Sequence, residues 1–167
     1  LAEQGKKLCT LGRLIHNASV VERLEKKGIR CIDSIDEVRP GESVIIRSHG
    51  VPKSCYEELE KRQIEYFDLT CPFVERIHKR VEQARNHYER IVIVGRADHP
   101  EVQGIYGWAG EKACVVPDVK AAEALPWAEK VLVVAQTTIK RELLDSVYAI
   151  VKEKSAEVEL FDSICET

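Results

Sequence analysis

The sequence predicts an α/β protein with two similar small domains, each built on a mainly parallel sheet that is flanked by helices. Short runs rich in Val and Ile alternate with amphipathic helical stretches, a pattern typical of parallel sheets that are covered on both faces. The same strand, loop and helix unit recurs along the chain. With 167 residues, of which 44% are hydrophobic, the chain is long enough to form one or two such domains with real cores.

The first predicted domain covers residues 1–71. A helix with Val20, Val21 and Leu24 on one face follows the first strand. It ends at Gly28, because glycine accepts the left-handed conformation that closes many helices. A second helix carries Leu59. The strands of this domain are predicted at Lys7–Leu11, Arg30–Ile32, 43–47 and a short β-favouring run that ends at Asp68.

The second predicted domain covers residues 72–163, and residues 164–167 are expected to begin a third. Its strands are predicted at 91–94, Ala113–Val116, 131–134 and 158–161. Further helices begin at Pro100, after Val116 and at Ile139. Pro72 opens a long helix whose apolar residues are spaced three or four apart: Phe73, Ile77, Val81, Ala84 and Tyr88.

Charge and composition argue against several function classes. The net charge of −3 is mild and the basic residues are interspersed with acidic ones, so nucleic acid is not an expected partner. No apolar run approaches the roughly 20 residues of a membrane span, and no signal peptide is apparent, so we predict a cytoplasmic protein without a membrane partner. The six cysteines form no CxxC pair, which favours reduced thiols over a zinc ribbon or a disulfide framework.

The two ends of the chain suggest a piece of a longer protein. The sequence contains no methionine and begins within an apparent helix. It stops two residues after Cys165. We therefore expect further protein sequence on both sides.

Residues able to hold ligands follow most of the predicted strands. The carboxyl ends of parallel strands are where ligands bind in α/β sheets. A lone histidine there would mean little, but repetition at successive strand ends favours a functional site. These residues are His16, His49, Cys71, His99, Glu101, Gln136, Thr137 and Cys165.

Two of these residues directly precede a proline that can open a helix. Pro72 and Pro100 fit the first helical position, so Cys71 and His99 are expected at helix N-caps. The helix N-terminus there stabilises a thiolate and attracts anions, although Cys71 alone could equally be a small buried hydrophobe. Three histidines at strand ends could hold a diphosphate. The remaining histidines, at 78 and 87, are predicted to be ordinary surface residues.

Other kinds of site fit less well. There is no GxGxxG, no Walker lysine motif and no GxSxG in the sequence. Histidines are common zinc ligands, so His16, His49 and His99 could instead bind a single zinc ion. Such a site would suit a hydrolase. A phosphate-binding or interaction domain without catalysis could use the same histidines.

Six short motifs at the predicted strand ends carry a resemblance to a known family. They are Leu14-Ile15-His16-Asn17, Arg47-Ser48-His49-Gly50-Val51, Asp68-Leu69-Thr70-Cys71-Pro72, Asp98-His99-Pro100-Glu101-Val102-Gln103-Gly104, Gln136-Thr137-Thr138 and Ser163-Ile164-Cys165. In this order and spacing they resemble the LytB/IspH family of 4-hydroxy-3-methylbut-2-enyl diphosphate reductases along essentially the whole chain. The resemblance implies the first two domains of a three-domain trefoil arrangement, without the opening strand of the first domain.

The resemblance also implies an activity. The family enzyme is an oxygen-sensitive iron–sulfur oxidoreductase of the non-mevalonate pathway of isoprenoid biosynthesis. It removes the allylic hydroxyl of its diphosphate substrate with two electrons and two protons, which gives isopentenyl and dimethylallyl diphosphate. Ferredoxin or flavodoxin is the implied electron donor.

Site roles follow from the same resemblance. Cys71 and Cys165 match two of the three cysteine ligands of a 4Fe-4S cluster. His16, His49 and His99 match the diphosphate-binding histidines. Glu101 matches the acid that delivers protons, and Thr137, helped by Gln136, matches the group that orients the substrate hydroxyl.

The sequence departs from the family pattern in two places. The N-terminal motif with the first cluster cysteine has no counterpart, since Cys9 does not match it, and the third domain is absent. We therefore expect the fragment by itself to be inactive and to hold no stable cluster. Arg13 and Arg96 stand near the histidine motifs and are predicted to face solvent.

Overall fold

The computed structural model describes residues 6–13, 22–24 and 26–165. The chain divides into two compact units, Leu1–Cys71 and Pro72–Thr167. Each unit contains a four-stranded sheet in which every described strand pair is parallel. The predicted fold class, two α/β domains with parallel sheets and flanking helices, is confirmed.

Unit one contains a sheet in the order β2-β1-β3-β4. The strands are β1 (Lys7–Leu11), β2 (Arg30–Ile32), β3 (Glu42–Ile46) and β4 (Tyr66–Asp68). A 3-10 turn, Ile35–Glu37, follows β2, and helix α1, Lys53–Lys61, follows β3. On one face of the sheet, Cys9, Val44 and Ile46 pack with Leu59 of α1. Alternate side chains of the same strands form the smaller core on the other face.

The helical segment before β2 ends at Gly28, as the sequence predicted. Residues 22–24 are helical, and the backbone N–H of Ile29 donates to the Leu24 carbonyl at 3.0 Å. Gly28 has φ 79°, the left-handed conformation expected at a helix end. Val20 and Val21 lie outside the described residues.

Unit two repeats the architecture, with its sheet in the order β6-β5-β7-β8. Its strands are β5 (Arg90–Val94), β6 (Ala113–Val116), β7 (Ala128–Ala135) and β8 (Ser155–Leu160). Its helices are α2 (Pro72–Ala84), α3 (Pro100–Ala109), α4 (Val119–Glu123) and α5 (Arg141–Glu153). In each unit the second strand therefore pairs with one side of the first, and the third strand pairs with the other side.

The central strands of unit two are buried on both faces, which explains their uninterrupted apolar runs. Ile91 and Ile93 point to one face and belong to the core that α2 and α3 cover. Val92 and Val94 point to the other face, where Leu144 of α5 completes the core. Because successive side chains of a strand alternate between faces, a single polar substitution in β5 would place a polar group in one of these cores.

Three sequence predictions in unit two are wrong in detail. Helix α2 ends at Ala84, so Tyr88 lies in the following turn, although it is buried. Ile139 lies in a turn rather than in the last helix, because its N–H bonds to the Gln136 carbonyl and α5 begins at Arg141. Phe73 points away from the core and is half exposed.

The largest error concerns His78, which was predicted to be a surface residue. Only 2% of it is exposed, and its ring stacks on Trp108 with centroids 5.3 Å apart. Helix α2 packs on helix α3 as well as on the sheet, so its buried stripe is wider than the apolar spacing indicates. His87 is exposed, as predicted.

Within the ranges described above, no helix is long and apolar enough to cross a membrane.

Candidate active site

The carboxyl ends of the strands in each sheet lie at one edge. The predicted site residues lie in or after the loops that leave this edge. In unit one Leu11 pairs with Ile46, and Ile46 pairs with Asp68, so the loops after β1, β3 and β4 leave from the same edge. In unit two Val94 pairs with Ala135 at the ends of β5 and β7. Between β1 and β3, and between β5 and β7, the strand order reverses direction, and ligands in α/β sheets bind at such switch points.

A buried carboxyl group lies at the switch point of unit two. Glu101 is the second residue of α3 and only 2% of it is exposed. Its Oε1 accepts the backbone N–H of Thr137 at 2.6 Å, and its Oε2 accepts the Thr137 hydroxyl at 2.8 Å. Residues 36 apart in sequence are thereby joined at the edge of the sheet.

Burial raises the pKa of Glu101 above that of an ordinary glutamic acid. The two hydrogen bonds from Thr137 favour the charged carboxylate and oppose this effect, but burial is the larger cause. Glu101 is therefore more than a helix-end carboxylate. It is a buried carboxyl group whose surroundings favour the protonated form more than water does.

This shifted pKa makes stability depend on pH. Since the folded-state pKa is raised, the protonated form contributes stability below the unfolded pKa of about 4.5, and that stability is lost as pH rises through the folded pKa. Glu101→Gln can keep both bonds to Thr137 but cannot ionise. As pH rises from below 4.5 through the folded-state pKa, wild type should thus lose stability relative to Glu101→Gln, by about 1.4 kcal/mol per unit of pKa shift.

Urea denaturation of both full-length proteins across this pH range measures the difference. Glu111→Gln, which removes an exposed carboxylate of the same unit, is the matched control. A constant difference between wild type and Glu101→Gln at all pH values would show that Glu101 ionises no differently in the folded and unfolded states.

His99 is the N-cap of α3, as predicted. Its Nδ1 accepts the backbone N–H of Glu101 at 3.2 Å, and Pro100 occupies the first helical position. A neutral ring that accepts at Nδ1 carries its proton on Nε2, so Nε2 is the atom that can donate to a ligand. The cap thus fixes both the ring orientation and the tautomer.

Gln136 follows β7 directly and is buried against the glycine that follows β5. A Cβ on Gly95 would lie 2.9 Å from Gln136 Cβ and 2.8 Å from Val102 Cγ2. Gln136 Oε1 accepts the Arg96 N–H at 3.3 Å, and its Nε2 donates to the Thr138 hydroxyl at 2.9 Å. Glycine at position 95 is therefore required for the Gln136 side chain to pack against this backbone and hold its amide in place.

Cys165 is attached to the same edge through backbone bonds. Its N–H donates to the Thr137 carbonyl at 2.9 Å, and the Ser163 hydroxyl bonds both to the N–H of Ala135 at 2.8 Å and to its carbonyl at 2.7 Å. The segment after β8 thus follows residues 135–137. Thr137 consequently contacts both the proposed acid, Glu101, and the peptide group of Cys165.

Unit one holds Cys71 and His49 in a similar way. The Gly50 N–H donates to the Arg47 carbonyl at 3.0 Å, which closes a β-turn with His49 at one of its corners. The Cys71 N–H donates to the carbonyl of Ser48 in that turn at 2.9 Å. The structure thus links these two predicted residues. His16 lies outside the described residues.

The segment before Cys71 is fixed by Asp68. Its Oδ1 accepts the N–H of Thr70 at 2.9 Å, and its Oδ2 accepts the Tyr56 hydroxyl at 2.9 Å. These bonds hold the backbone between β4 and Cys71 in one conformation.

The two units carry the same constellation, which the sequence reasoning missed. Gly12-Arg13 and Gly95-Arg96 follow the first strand of each sheet, and a histidine comes three residues after each arginine. A cysteine N–H bonds to the carbonyl of Ser48 in unit one and of Thr137 in unit two. The repeated Gly-Arg-x-x-His spacing was visible in the sequence and could have revealed this equivalence.

The cysteines differ in their fitness as metal ligands. Burial raises the pKa of the Cys9 thiol to about 11 and also raises the pKa of Cys55 and Cys114, which makes these thiolates harder to form. Cys71 and Cys165 are partly exposed at strand ends and have anchored backbones. They therefore fit as ligands of an iron–sulfur cluster. Among the described residues, no three His, Cys, Asp or Glu side chains form a complete metal site.

Comparison with known proteins decides the family. A family model for the LytB protein matches residues 1–167. The chain belongs to the LytB family. The resemblance that the sequence motifs carried is thereby confirmed. The chain is 41% identical over 165 residues to the 4-hydroxy-3-methylbut-2-enyl diphosphate reductase of Caldanaerobacter subterraneus subsp. tengcongensis. The aligned segment covers 98% of this chain and 57% of that relative.

Other LytB relatives agree. The chain is 39% identical to the reductase of the same name from Geobacter metallireducens, with 99% of this chain and 58% of that protein covered. One similar solved structure is an (E)-4-hydroxy-3-methyl-but-2-enyl diphosphate reductase, described as the terminal enzyme of the non-mevalonate pathway. It matches with a TM-score of 0.80 and 35% sequence identity, and the match covers 98% of this chain and 61% of that one. The Plasmodium falciparum reductase structure matches with a TM-score of 0.87 and 28% identity, covering 96% and 52%.

The chain therefore spans less than two thirds of the length of these relatives.

Proposed function

We propose that the full-length protein containing this chain is a 4-hydroxy-3-methylbut-2-enyl diphosphate reductase. It would convert that diphosphate to isopentenyl and dimethylallyl diphosphate by reductive dehydroxylation in the non-mevalonate pathway. The observation that carries the proposal is the buried pair of Glu101 and Thr137 beside Cys165. Family membership and the names of the relatives support it.

The chain's own residues can do three parts of this chemistry. Glu101, with its raised pKa, can hold the proton that the leaving hydroxyl needs. The Thr137 hydroxyl can orient the substrate hydroxyl, and its bond to Glu101 places the two groups together. His49 and His99 can donate N–H groups to diphosphate oxygens, as His16 can by resemblance.

A 4Fe-4S cluster held in part by Cys71 and Cys165 would supply the two electrons and a Lewis-acidic iron. Ferredoxin or flavodoxin would be the electron donor. The cytoplasmic location and the inactivity of the isolated chain stay predictions.

The test uses the full-length protein reconstituted anaerobically with iron and sulfide. Under steady-state reduction by an artificial one-electron donor, we expect both diphosphate products to form from 4-hydroxy-3-methylbut-2-enyl diphosphate. A brown, iron-loaded protein that binds the substrate without converting it would contradict the proposed activity. Diphosphate binding by a protein that takes up no iron would instead support a non-catalytic phosphate-binding role.

The histidines lead to a separate prediction about substrate affinity. In the full-length protein, His49→Ala or His99→Ala should weaken substrate binding by roughly 1.5–3 kcal/mol if each removes one hydrogen bond to a charged phosphate. Iron content should change little. Calorimetric titration measures the affinity, and His87→Ala, at an exposed position of unit two, is the control. Unchanged affinity with loss of iron would favour a metal-ligand role for these histidines.

A further inference from the structure

Arg47 has an unusual position at the carboxyl edge of the first sheet. It follows β3 directly, and its side chain lies over Gly12, which follows the neighbouring strand β1. A Cβ on Gly12 would lie 2.2 Å from Arg47 Nη1 and 2.8 Å from Cζ. Gly12 also has φ 71°, a conformation that other residues rarely adopt. Only glycine at position 12 therefore leaves room for the guanidinium.

One donor of this guanidinium lacks an acceptor within the described part of the chain. The Nε of Arg47 is buried and makes no hydrogen bond there. Burial lowers the pKa of Arg47, while the Cys31 and Cys55 thiols and the Asp33 carboxyl oppose this more weakly. A buried guanidinium N–H without an acceptor is costly, and an anion that accepts from it would relieve that cost.

Arg96 shows what an ordinary surface arginine does at the equivalent edge of unit two. Its Nε and Nη2 donate to the two carboxylate oxygens of Asp98 at 3.1 and 2.7 Å. Both side chains are 72% exposed. The guanidinium of Arg96 is thus already neutralised, whereas that of Arg47 retains a buried donor for a ligand.

The internal repeat places Arg47 at a site position. Gly12 and Gly95 follow the first strands of the two sheets, and each makes room for the residue that follows the third strand, Arg47 in unit one and Gln136 in unit two. The switch point between β1 and β3 lies beneath the Arg47 side chain. Arg47 also begins the β-turn that carries His49 and bonds to the backbone of Cys71.

We propose that Arg47 is an anion-binding residue that donates its guanidinium fork to phosphate oxygens at the switch point of the first sheet. The planar guanidinium can donate two parallel N–H bonds to two oxygens of one phosphate group. A lysine ammonium has no such fixed pair of donors. That this anion is the diphosphate group of the substrate rests on the proposed function. Gly12 acts as a positioning residue because it seats the guanidinium.

The test measures binding of inorganic pyrophosphate to the full-length protein by calorimetry at constant ionic strength. Arg47→Gln should weaken binding by roughly 10- to 100-fold, and Arg47→Lys should recover only part of the loss. Arg13→Gln removes the same charge at the exposed position next to Gly12 and should change affinity less than threefold. Gly12→Ala keeps the charge but displaces the guanidinium, so it should weaken binding about as much as Arg47→Gln.

The double variant Gly12→Ala with Arg47→Gln should bind no more weakly than Arg47→Gln alone, because both changes remove one interaction. Equal affinities for wild type and Arg47→Gln, or no pyrophosphate binding by wild type, would overturn the proposal. Equal losses in Arg13→Gln and Arg47→Gln would also overturn it, since they would indicate a diffuse charge effect. Arg47-dependent pyrophosphate binding without turnover of 4-hydroxy-3-methylbut-2-enyl diphosphate would refute the proposed activity and leave the role of Arg47 intact.

Discussion

Replacing Glu101 by Gln in the full-length protein should lower turnover by roughly 10²–10⁴-fold, the range typical of a lost general acid. The amide can accept the Thr137 N–H and donate to the Thr137 hydroxyl, so both contacts of the carboxyl can persist. What disappears is the transferable proton. Substrate affinity and iron content should therefore stay close to those of wild type.

Steady-state reduction with an artificial one-electron donor measures this effect without a partner protein. Glu111→Gln, at an exposed position, should turn over normally. Thr137→Val removes the hydroxyl but keeps the side-chain shape, so it tests whether Glu101 acts together with that hydroxyl. Near-normal turnover of Glu101→Gln would mean that the proton comes from Thr137 or from a bound water.

The second large effect is expected at the cysteines. In the full-length protein, Cys71→Ser or Cys165→Ser should remove most of the bound iron after anaerobic reconstitution, because a hydroxyl is a much poorer ligand for iron–sulfur clusters than a thiolate. The backbone bonds of both residues do not depend on the side chain, so the fold should persist. Turnover should be lost together with the iron.

Iron analysis and the visible absorption of the reconstituted protein give the result. Cys31→Ser, at an exposed position of unit one, and Cys114→Ser, within unit two, are the matched controls and should retain full iron content. If Cys71→Ser and Cys165→Ser hold as much iron as these controls, neither residue is a cluster ligand.

The strands and helices could be predicted because their patterns are local. β1, β2 and β6 have the predicted bounds and β4 ends at Asp68 as predicted, whereas β3, β5, β7 and β8 differ by one to three residues at their ends. Errors arose where packing overrides spacing. His78 is buried because two helices lie side by side over the sheet, and neighbouring helices leave no sign in the apolar period of one helix.

The site could be predicted in part for a related reason. Parallel topology places the ends of successive strands at one edge, so His99, Glu101 and Thr137 could be expected together from sequence order alone. Their contacts could not. That Glu101 is buried and bonded to Thr137 depends on the register between β5 and β7, whereas the bond from the Glu101 N–H to His99 is local and follows from the predicted N-cap.

The sequence by itself determined the alternation of strands and helices, the resemblance to the LytB family and the residue types at the strand ends. These depend on short-range periodicity, on helix-starting prolines and on motif order. The tertiary structure alone decided which side chains meet. Glu101 reaches Thr137 across 36 residues of sequence, and Arg47 lies over Gly12. Such contacts depend on which strands pair and in which register, and this pairing sets the burial, and with it the pKa, of each group.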